Sequence, residues 1–164
     1  MFVIMSYKGK FSPKNIKKYK GNPTNVLYRS LWERRFMKYC DENPMILEWA
    51  SEEIIIPYIS SWDNKRHRYF PDFYIKIQLS DGSTKKRIIE IKPKKYLKKP
   101  NLKPKRKTRR WYGELKEWHK NQAKWAYAKE YCKNNDMEFQ ILTEDNLGYY
   151  CLLYTSPSPR DKRQ

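Results

Sequence analysis

Residues 68–92 constrain this chain more than any other stretch. Two strand-like runs, Phe73-Tyr74-Ile75-Lys76-Ile77-Gln78-Leu79 and Arg87-Ile88-Ile89-Glu90-Ile91-Lys92, flank Ser80-Asp81-Gly82-Ser83. An Asp-Gly turn between β-rich runs predicts a hairpin. A side-chain period of two puts Phe73, Ile75, Ile77 and Leu79 on one face and Asp72 on the other. In the second run Glu90 and Lys92 share a face, while Ile89 and Ile91 take the opposite, buried one. Two carboxylates and a lysine therefore converge on one side of two adjacent strands. Carboxylates are hard oxygen ligands that suit Mg²⁺ (or Mn²⁺), which keeps waters and bridges to phosphate. A lysine beside them can orient an attacking water and offset phosphate charge. Glu-x-Lys alone is equally an ordinary solvated pair on a strand, so the rest of the chain has to shift the balance.

Charge does so first. The 164 residues carry a formal net charge of +18, which points to a polyanion, most simply nucleic acid. The length suits one domain with a real core. No apolar run is long enough for a transmembrane helix, and residues 1–5 are too short for a signal-peptide apolar region. Cys40, Cys132 and Cys151 form no Cys-x-x-Cys pair, and His67 and His119 have no zinc-like companions, so a reducing cytosol is the expected compartment.

Residues 1–24 hold six lysines and no acid, interleaved with Tyr7, Phe11 and Tyr19 and broken by Pro13, Gly21 and Pro23. They read as an extended basic arm, either a disordered tail or one that orders on phosphates. Thr24 or Asn25 is the expected cap of a helix running to about Cys40. Its apolar arc comprises Val26, Tyr28, Trp32, Phe36, Met37, Tyr39 and Cys40. Glu33 falls inside that arc, where an unpaired charge is costly. It either pairs with a neighbouring arginine or faces the metal site.

Short strands follow at 46–49 and 52–59, with Pro57 marking an edge or a strand end and Glu52-Glu53 reading as a solvated strand start. Residues 60–67 read as a polar turn, with Trp62 as a packing anchor. After the hairpin, residues 92–110 form a basic loop with eleven lysines and arginines and no acid. Pro93, Pro100 and Pro104 keep it from becoming helical. It leaves directly from Lys92, which favours phosphate contact by Lys94, Lys95, Lys98, Lys99, Lys103, Lys105, Arg106, Lys107, Arg109 and Arg110. A second helix runs from Trp111 to about Asn134, with Leu115, Trp118, Gln122, Trp125 and Cys132 on one stripe. Gln122 is then either a satisfied core amide or a polar helper facing phosphate. A last strand spans 137–142. Helix, three or four strands, helix and strand make an α/β layer arrangement with a mixed central sheet. Residues 150–164 differ in character and resemble a translated sequencing adapter, so they are set aside as a non-native tail; the main domain is then 25–149 and the net charge remains strongly positive.

The order Pro71-Asp72, hairpin, Glu90-Ile91-Lys92 resembles the PD-(D/E)xK nuclease superfamily, which implies a restriction-endonuclease-like core with helices flanking the mixed sheet. A narrower resemblance covers about residues 6–149. Tyr7-Lys8-Gly9-Lys10, Pro13-Lys14-Asn15, Tyr19-Lys20-Gly21, Tyr28-Arg29-Ser30-Leu31-Trp32-Glu33-Arg34-Arg35-Phe36, His67-Arg68-Tyr69-Phe70-Pro71-Asp72-Phe73-Tyr74 and Ile89-Glu90-Ile91-Lys92-Pro93 look like the head completion proteins of T-even-like phages. The TnsA-type transposon endonucleases have a similar helix glutamate, aspartate and lysine.

By this resemblance Glu33, Asp72, Glu90 and Lys92 form the active site. Asp72, Glu90 and Glu33 hold the metal, Lys92 positions water, and Gln122 is an auxiliary polar group. The implied protein is a Mg²⁺- or Mn²⁺-dependent endonuclease acting on double-stranded DNA during virion assembly, in the host cytoplasm or the virion, with phage head or portal proteins as partners and no membrane. The expected products are a 5′-phosphate and a 3′-hydroxyl. Two other readings stand beside it: a non-catalytic DNA-binding head or neck protein, and a junction-resolving nuclease. The presence of all four charged residues favours the enzyme, because acids beside a phosphate repel it unless a cation intervenes.

Overall fold

The computed structural model describes residues 7–152, the last four as backbone only. Residues 1–6 and 153–164, and with them most of the tail set aside above, lie outside the described residues.

The hairpin forms as expected. β6 (Phe73–Gln78) pairs antiparallel with β7 (Thr84–Ile91), in a register that places Phe73 opposite Ile89 and Gln78 opposite Thr84. The turn is closed by main-chain hydrogen bonds from Leu79 to Ser83 and from Gly82 to Leu79. Gly82 takes φ +84° there, a left-handed conformation that glycine adopts without strain. β3 (Ile46–Ser51) lies antiparallel on the other side of β6, and β8 (Glu138–Leu142) lies parallel to β7. The central sheet is therefore mixed, in the order β3-β6-β7-β8. Parallel neighbours need a long crossover, supplied by α2 (Arg109–Asn134).

Both faces of β7 are covered, so Ile88, Ile89, Glu90 and Ile91 are all buried. On one face Phe73, Ile75, Ile89 and Ile91 pack with Phe36, Met37 and Cys40 of α1 (Leu31–Glu42) and with Leu147 of α3 (Glu144–Leu152). On the other, Ile88 packs with Ala128 and Cys132 of α2. Ile56, Tyr58 and Tyr69 of a small antiparallel sheet join this cluster; that sheet is β4 (Ile56–Ile59) with β5 (Arg66–Tyr69). The result is a helix–sheet–helix sandwich of the restriction-endonuclease-like kind.

Several expectations need correction. Residues 7–24 are not an extended arm. β1 (Gly9–Phe11) pairs with β2 (Val26–Tyr28), a 3₁₀ turn spans Ile16–Lys18, and Tyr19 is buried against Trp49 with ring centroids 4.7 Å apart. The buried Asp41 anchors this segment by accepting the Lys14 and Asn15 amides at 2.8 and 3.1 Å. Val26 and Tyr28 accordingly belong to a strand, and the helix starts five residues later than Asn25, at the Ser30 cap, whose hydroxyl accepts from the Glu33 amide. Part of the polar turn at 60–67 is strand β5. Trp62 is exposed, resting near His119 with centroids 6.2 Å apart. Glu52 takes φ +54° and is salt-bridged to Arg29 at 3.0 Å, so it is not a freely solvated strand start.

Because Tyr19 is part of the core, its truncation is costly. Tyr19→Ala is expected to lose about 3–4 kcal/mol, the usual cost of deleting a buried aromatic ring. Urea denaturation followed by tryptophan fluorescence measures this. A loss near zero would mean that the segment is a tail after all.

Candidate active site

Continuing the β6–β7 register one step outward puts Asp72 opposite Glu90. Both side chains then point to the α2 face of the sheet, as alternation requires. Asp72 Oδ2 accepts a hydrogen bond from the Ile91 amide at 2.7 Å, which locks the carboxylate across the strand end. Glu90 is 6% exposed, and its Oε2 accepts from the Tyr69 hydroxyl at 2.7 Å. Lys92 lies just past the strand, where its amide donates to the Leu142 carbonyl at 2.9 Å and extends the parallel ladder. This holds its Nζ 3.9 Å from Glu90 Oε1 and over the Tyr96 ring.

The electrostatics are those of two acids forced together. Burial pushes the Asp72 carboxyl well above the usual carboxylate range, and the neighbouring Glu90 and Glu33 charges push it further, against the Ile91 amide and Lys92. Burial also raises Glu90, while Tyr69, Lys92, Lys124 and the Asp72 amide oppose the shift. Hydrogen-bonding to Glu90 and, above all, burial hold the Tyr69 phenol far above its ordinary value.

Glu33 stands at the first turn of α1, close enough for its charge to act on Asp72. Its own oxygens are engaged in the helix cap: Oε2 accepts from the Arg29 amide at 2.8 Å and Oε1 from the Ser30 hydroxyl at 3.0 Å. This is a capping box shifted by one residue, with the Arg29 amide taking the place of the Ser30 amide. The neighbouring arginine does not pair with it, because the Arg29 guanidinium goes to Glu52. Among the described residues no three Asp, Glu, His or Cys side chains are grouped closely enough to hold a metal by themselves.

Gln122 is exposed, so it is not a core amide. The buried stripe of α2 is Asn121, Trp125, Ala128 and Cys132. The polar residue that α2 turns toward the site is Lys124, which lies with its ammonium 5.7 Å from the centroid of the Tyr69 ring. Burial and the adjacent Lys92 charge lower its pKa, partly offset by Glu90. Tyr69 and Lys124 went unnoticed in the sequence. Tyr69 sits three residues before Asp72 and was legible as the last residue of a strand. Lys124 had no signal beyond its place next to Trp125.

The basic loop remains exposed from Lys94 to Lys99 and beyond, apart from Leu97, Pro100 and Pro104. It is not uniformly free. The Lys94 amide and ammonium are held by Glu144 and Asp145 of α3, and Arg110 pairs with Glu114. Lys95 lies over Tyr96, Lys99 over Trp118 and Lys107 over Trp111. Arg109 and Arg110 belong to the first turn of α2, capped by Thr108.

Comparison with known proteins identifies the family. The family model "TnsA-like endonuclease N terminal" matches residues 43–144. The chain belongs to the TnsA-like endonuclease family. It is also 42% identical over 147 residues to the head completion nuclease of Enterobacteria phage T4, covering 87% of this chain and 95% of that protein. No solved structure matches it significantly. Asp72, Glu90, Lys92, Tyr69 and Lys124 all fall within the matched family segment, and Glu33 precedes it.

The acid pair has a signature in stability. Folded Asp72 holds its proton more tightly than the unfolded chain does, so its contribution favours the fold at low pH and is lost as pH rises through the raised value. Asp72→Asn removes that loss. In chelator the variant is expected to melt above the parent at pH 8, by about 3 °C for each pH unit of upward shift, and to lose the advantage below about pH 4, the ordinary aspartate value. Scanning calorimetry across that range tests it; a pH-independent difference would contradict the assignment.

Proposed function

We propose that this chain is a divalent-metal-dependent DNA endonuclease acting in head completion, with Asp72, Glu90 and Lys92 as its catalytic residues and Glu33 as a third, outlying carboxylate. The observation that carries this reading is the facing Asp72–Glu90 pair, buried and mutually repulsive, with a lysine 3.9 Å from one of its oxygens. The family and the phage T4 relative supply the class of reaction.

The donor set fits Mg²⁺ or Mn²⁺. Such ions take one or two carboxylates together with waters and substrate oxygens, and a cation offsets the burial that raises both acids and the Glu90 repulsion that raises Asp72 further. Asp72 and Glu90 would hold it, with the Ile91 carbonyl as a further oxygen. When bound, the ion supplies an activated water and stabilises the charge that develops on the phosphate. The chain does the rest. The Ile91 amide fixes Asp72 and the Tyr69 hydroxyl fixes Glu90, so neither carboxylate has to be ordered when substrate arrives. Lys92 orients water toward phosphorus and offsets phosphate charge, and in-line displacement leaves a 5′-phosphate and a 3′-hydroxyl. Lys124 is a positioning residue that acts through Glu90 and Tyr69. Lys95, Lys98, Lys99, Lys103, Lys105, Arg106 and Lys107 hold the duplex near the cleaved bond. The substrate is packaged double-stranded DNA, and the partners are head or portal proteins.

Linear, circular and branched DNA should be cut with Mg²⁺ or Mn²⁺ and left intact in chelator. Asp72→Ala and Lys92→Ala are each expected to lower the single-turnover rate by about a hundredfold or more, with circular dichroism unchanged. Binding without cutting under any metal, indifferent to Asp72→Ala, would replace this account with a structural assembly role. Strong preference for branched DNA would favour junction resolution.

A further inference from the structure

A second charged surface lies outside the site and the basic loop. An open groove of about 750 Å³ runs along the exposed side of α1. Lys10, Phe11 and Lys14 of the N-terminal segment, Arg34, Arg35 and Lys38 of α1, and Tyr28 line it. The tight approach of Tyr28 to β1 depends on Gly9, its partner in the ladder, because a Cβ at that position would collide with the phenol. The Arg34 guanidinium lies 5.8 Å from the centroid of the same ring.

The acids lining the groove are already spent. Asp41 is buried and accepts main-chain amides from Lys14 and Asn15, and Glu42 pairs with Lys14 at 3.0 Å. Lys10, Arg34, Arg35 and Lys38 are exposed and have no carboxylate within salt-bridge distance among the described residues. Elsewhere cations are neutralised, as where Glu138 binds both Lys85 and Arg87, and Glu48 both Lys20 and Lys76. Four like charges along one groove repel unless a polyanion lies between them. The groove also has a direction. Its α1 cations begin one residue after Glu33, whose charge reaches Asp72, and continue one turn away to Lys38.

We infer that this groove is a second track for DNA phosphates, leading away from Asp72 along α1. The duplex is then gripped on two sides of the cleaved phosphate, by the groove and by the 92–110 loop. This rests on reading Asp72, Glu90 and Lys92 as the nuclease site. DNA suits the groove better than an acidic protein segment does, because its α1 cations follow directly on Glu33, whose charge acts on Asp72. It does not require base contacts; arginine and lysine at this spacing read backbone charge alone.

The test is fluorescence anisotropy of the full chain with a short labelled duplex in chelator, over a series of salt concentrations. The variants are Arg34→Ala/Arg35→Ala/Lys38→Ala and, as a guard against lost packing on Tyr28, Arg35→Glu/Lys38→Glu. Each phosphate contact removed should flatten the plot of log affinity against log salt by about 0.9, so the triple variant is expected to lose two to three units of slope by that rule. Affinity at low salt should fall at least about tenfold. The same loss should appear when Asp72→Ala is the background, since the groove binds without cutting. Slope and affinity unchanged in both groove variants would overturn the proposal while leaving the nuclease reading intact. Unchanged duplex binding with lost binding of a polyglutamate peptide would overturn it too, and make the groove a protein-docking surface. A groove that binds DNA on a wild type that never cuts would support the track and remove the nuclease reading instead.

Discussion

The hydrogen bond from the Ile91 amide to Asp72 fixes more of this molecule than its single donor suggests. It forms only if β6 and β7 hold the register that sets Phe73 opposite Ile89. A slip of one residue would carry Asp72 to the apolar α1 face and bring Phe73 or Ile75 to the α2 face. The same bond offsets part of the upward shift that burial imposes on this carboxyl. Glu90 is held in the same way by Tyr69. Both acids are held by neutral donors, and the salt bridge beside them is the long 3.9 Å contact from Lys92 to Glu90. That leaves a deficit of positive charge at the centre of a strongly basic protein, a place where a divalent cation is electrostatically favoured.

How far the sequence revealed this depended on how local each determinant was. The hairpin, its Gly82 turn and the alternation placing Asp72, Glu90 and Lys92 together are encoded within twenty-odd residues, and periodicity alone exposes them. The start of α1 is not. Val26 and Tyr28 fit a helical arc as well as a strand, and only pairing with β1, some seventeen residues upstream by the Phe11–Val26 to Gly9–Tyr28 ladder, decides between them. The Ser30-x-x-Glu33 capping box was present in the sequence and marks the true start. Tyr19 was read as part of a tail because lysines surround it; its burial comes from Trp49, a contact across thirty residues of chain.

The α2 helix shows the same limit from the other direction. Its spacing of tryptophans is helical, and the helix is there. Which flank faces the sheet is set by the crossover between β7 and β8 and by the β4–β5 sheet packed beside it. Those contacts bury Asn121 and Ala128 and leave Gln122 in solvent. A stripe drawn through the large aromatic residues shares Trp125 and Cys132 with the buried face but is centred about 60° away from it at 100° per residue. Gln122, read as a core amide or a polar helper, is left in solvent, while Lys124 reaches the Glu90 side of the sheet.

Charge is distributed in a way that this fold makes functional. The acids of the site lie at the end of the central strands, where both faces of the sheet are covered and water is scarce. The unpaired cations lie outside that point, on α1 and on the loop leaving Lys92. A phosphate approaching from solvent is first attracted by the outer cations and then meets two buried carboxylates, which repel it. The repulsion is part of the arrangement. Phosphate can settle at the centre only with a cation between it and Asp72–Glu90. An anionic backbone held at the rim without one stays out of reach of Lys92. On the function proposed above, the basic surface draws DNA in and the acid pair makes the last step conditional on metal.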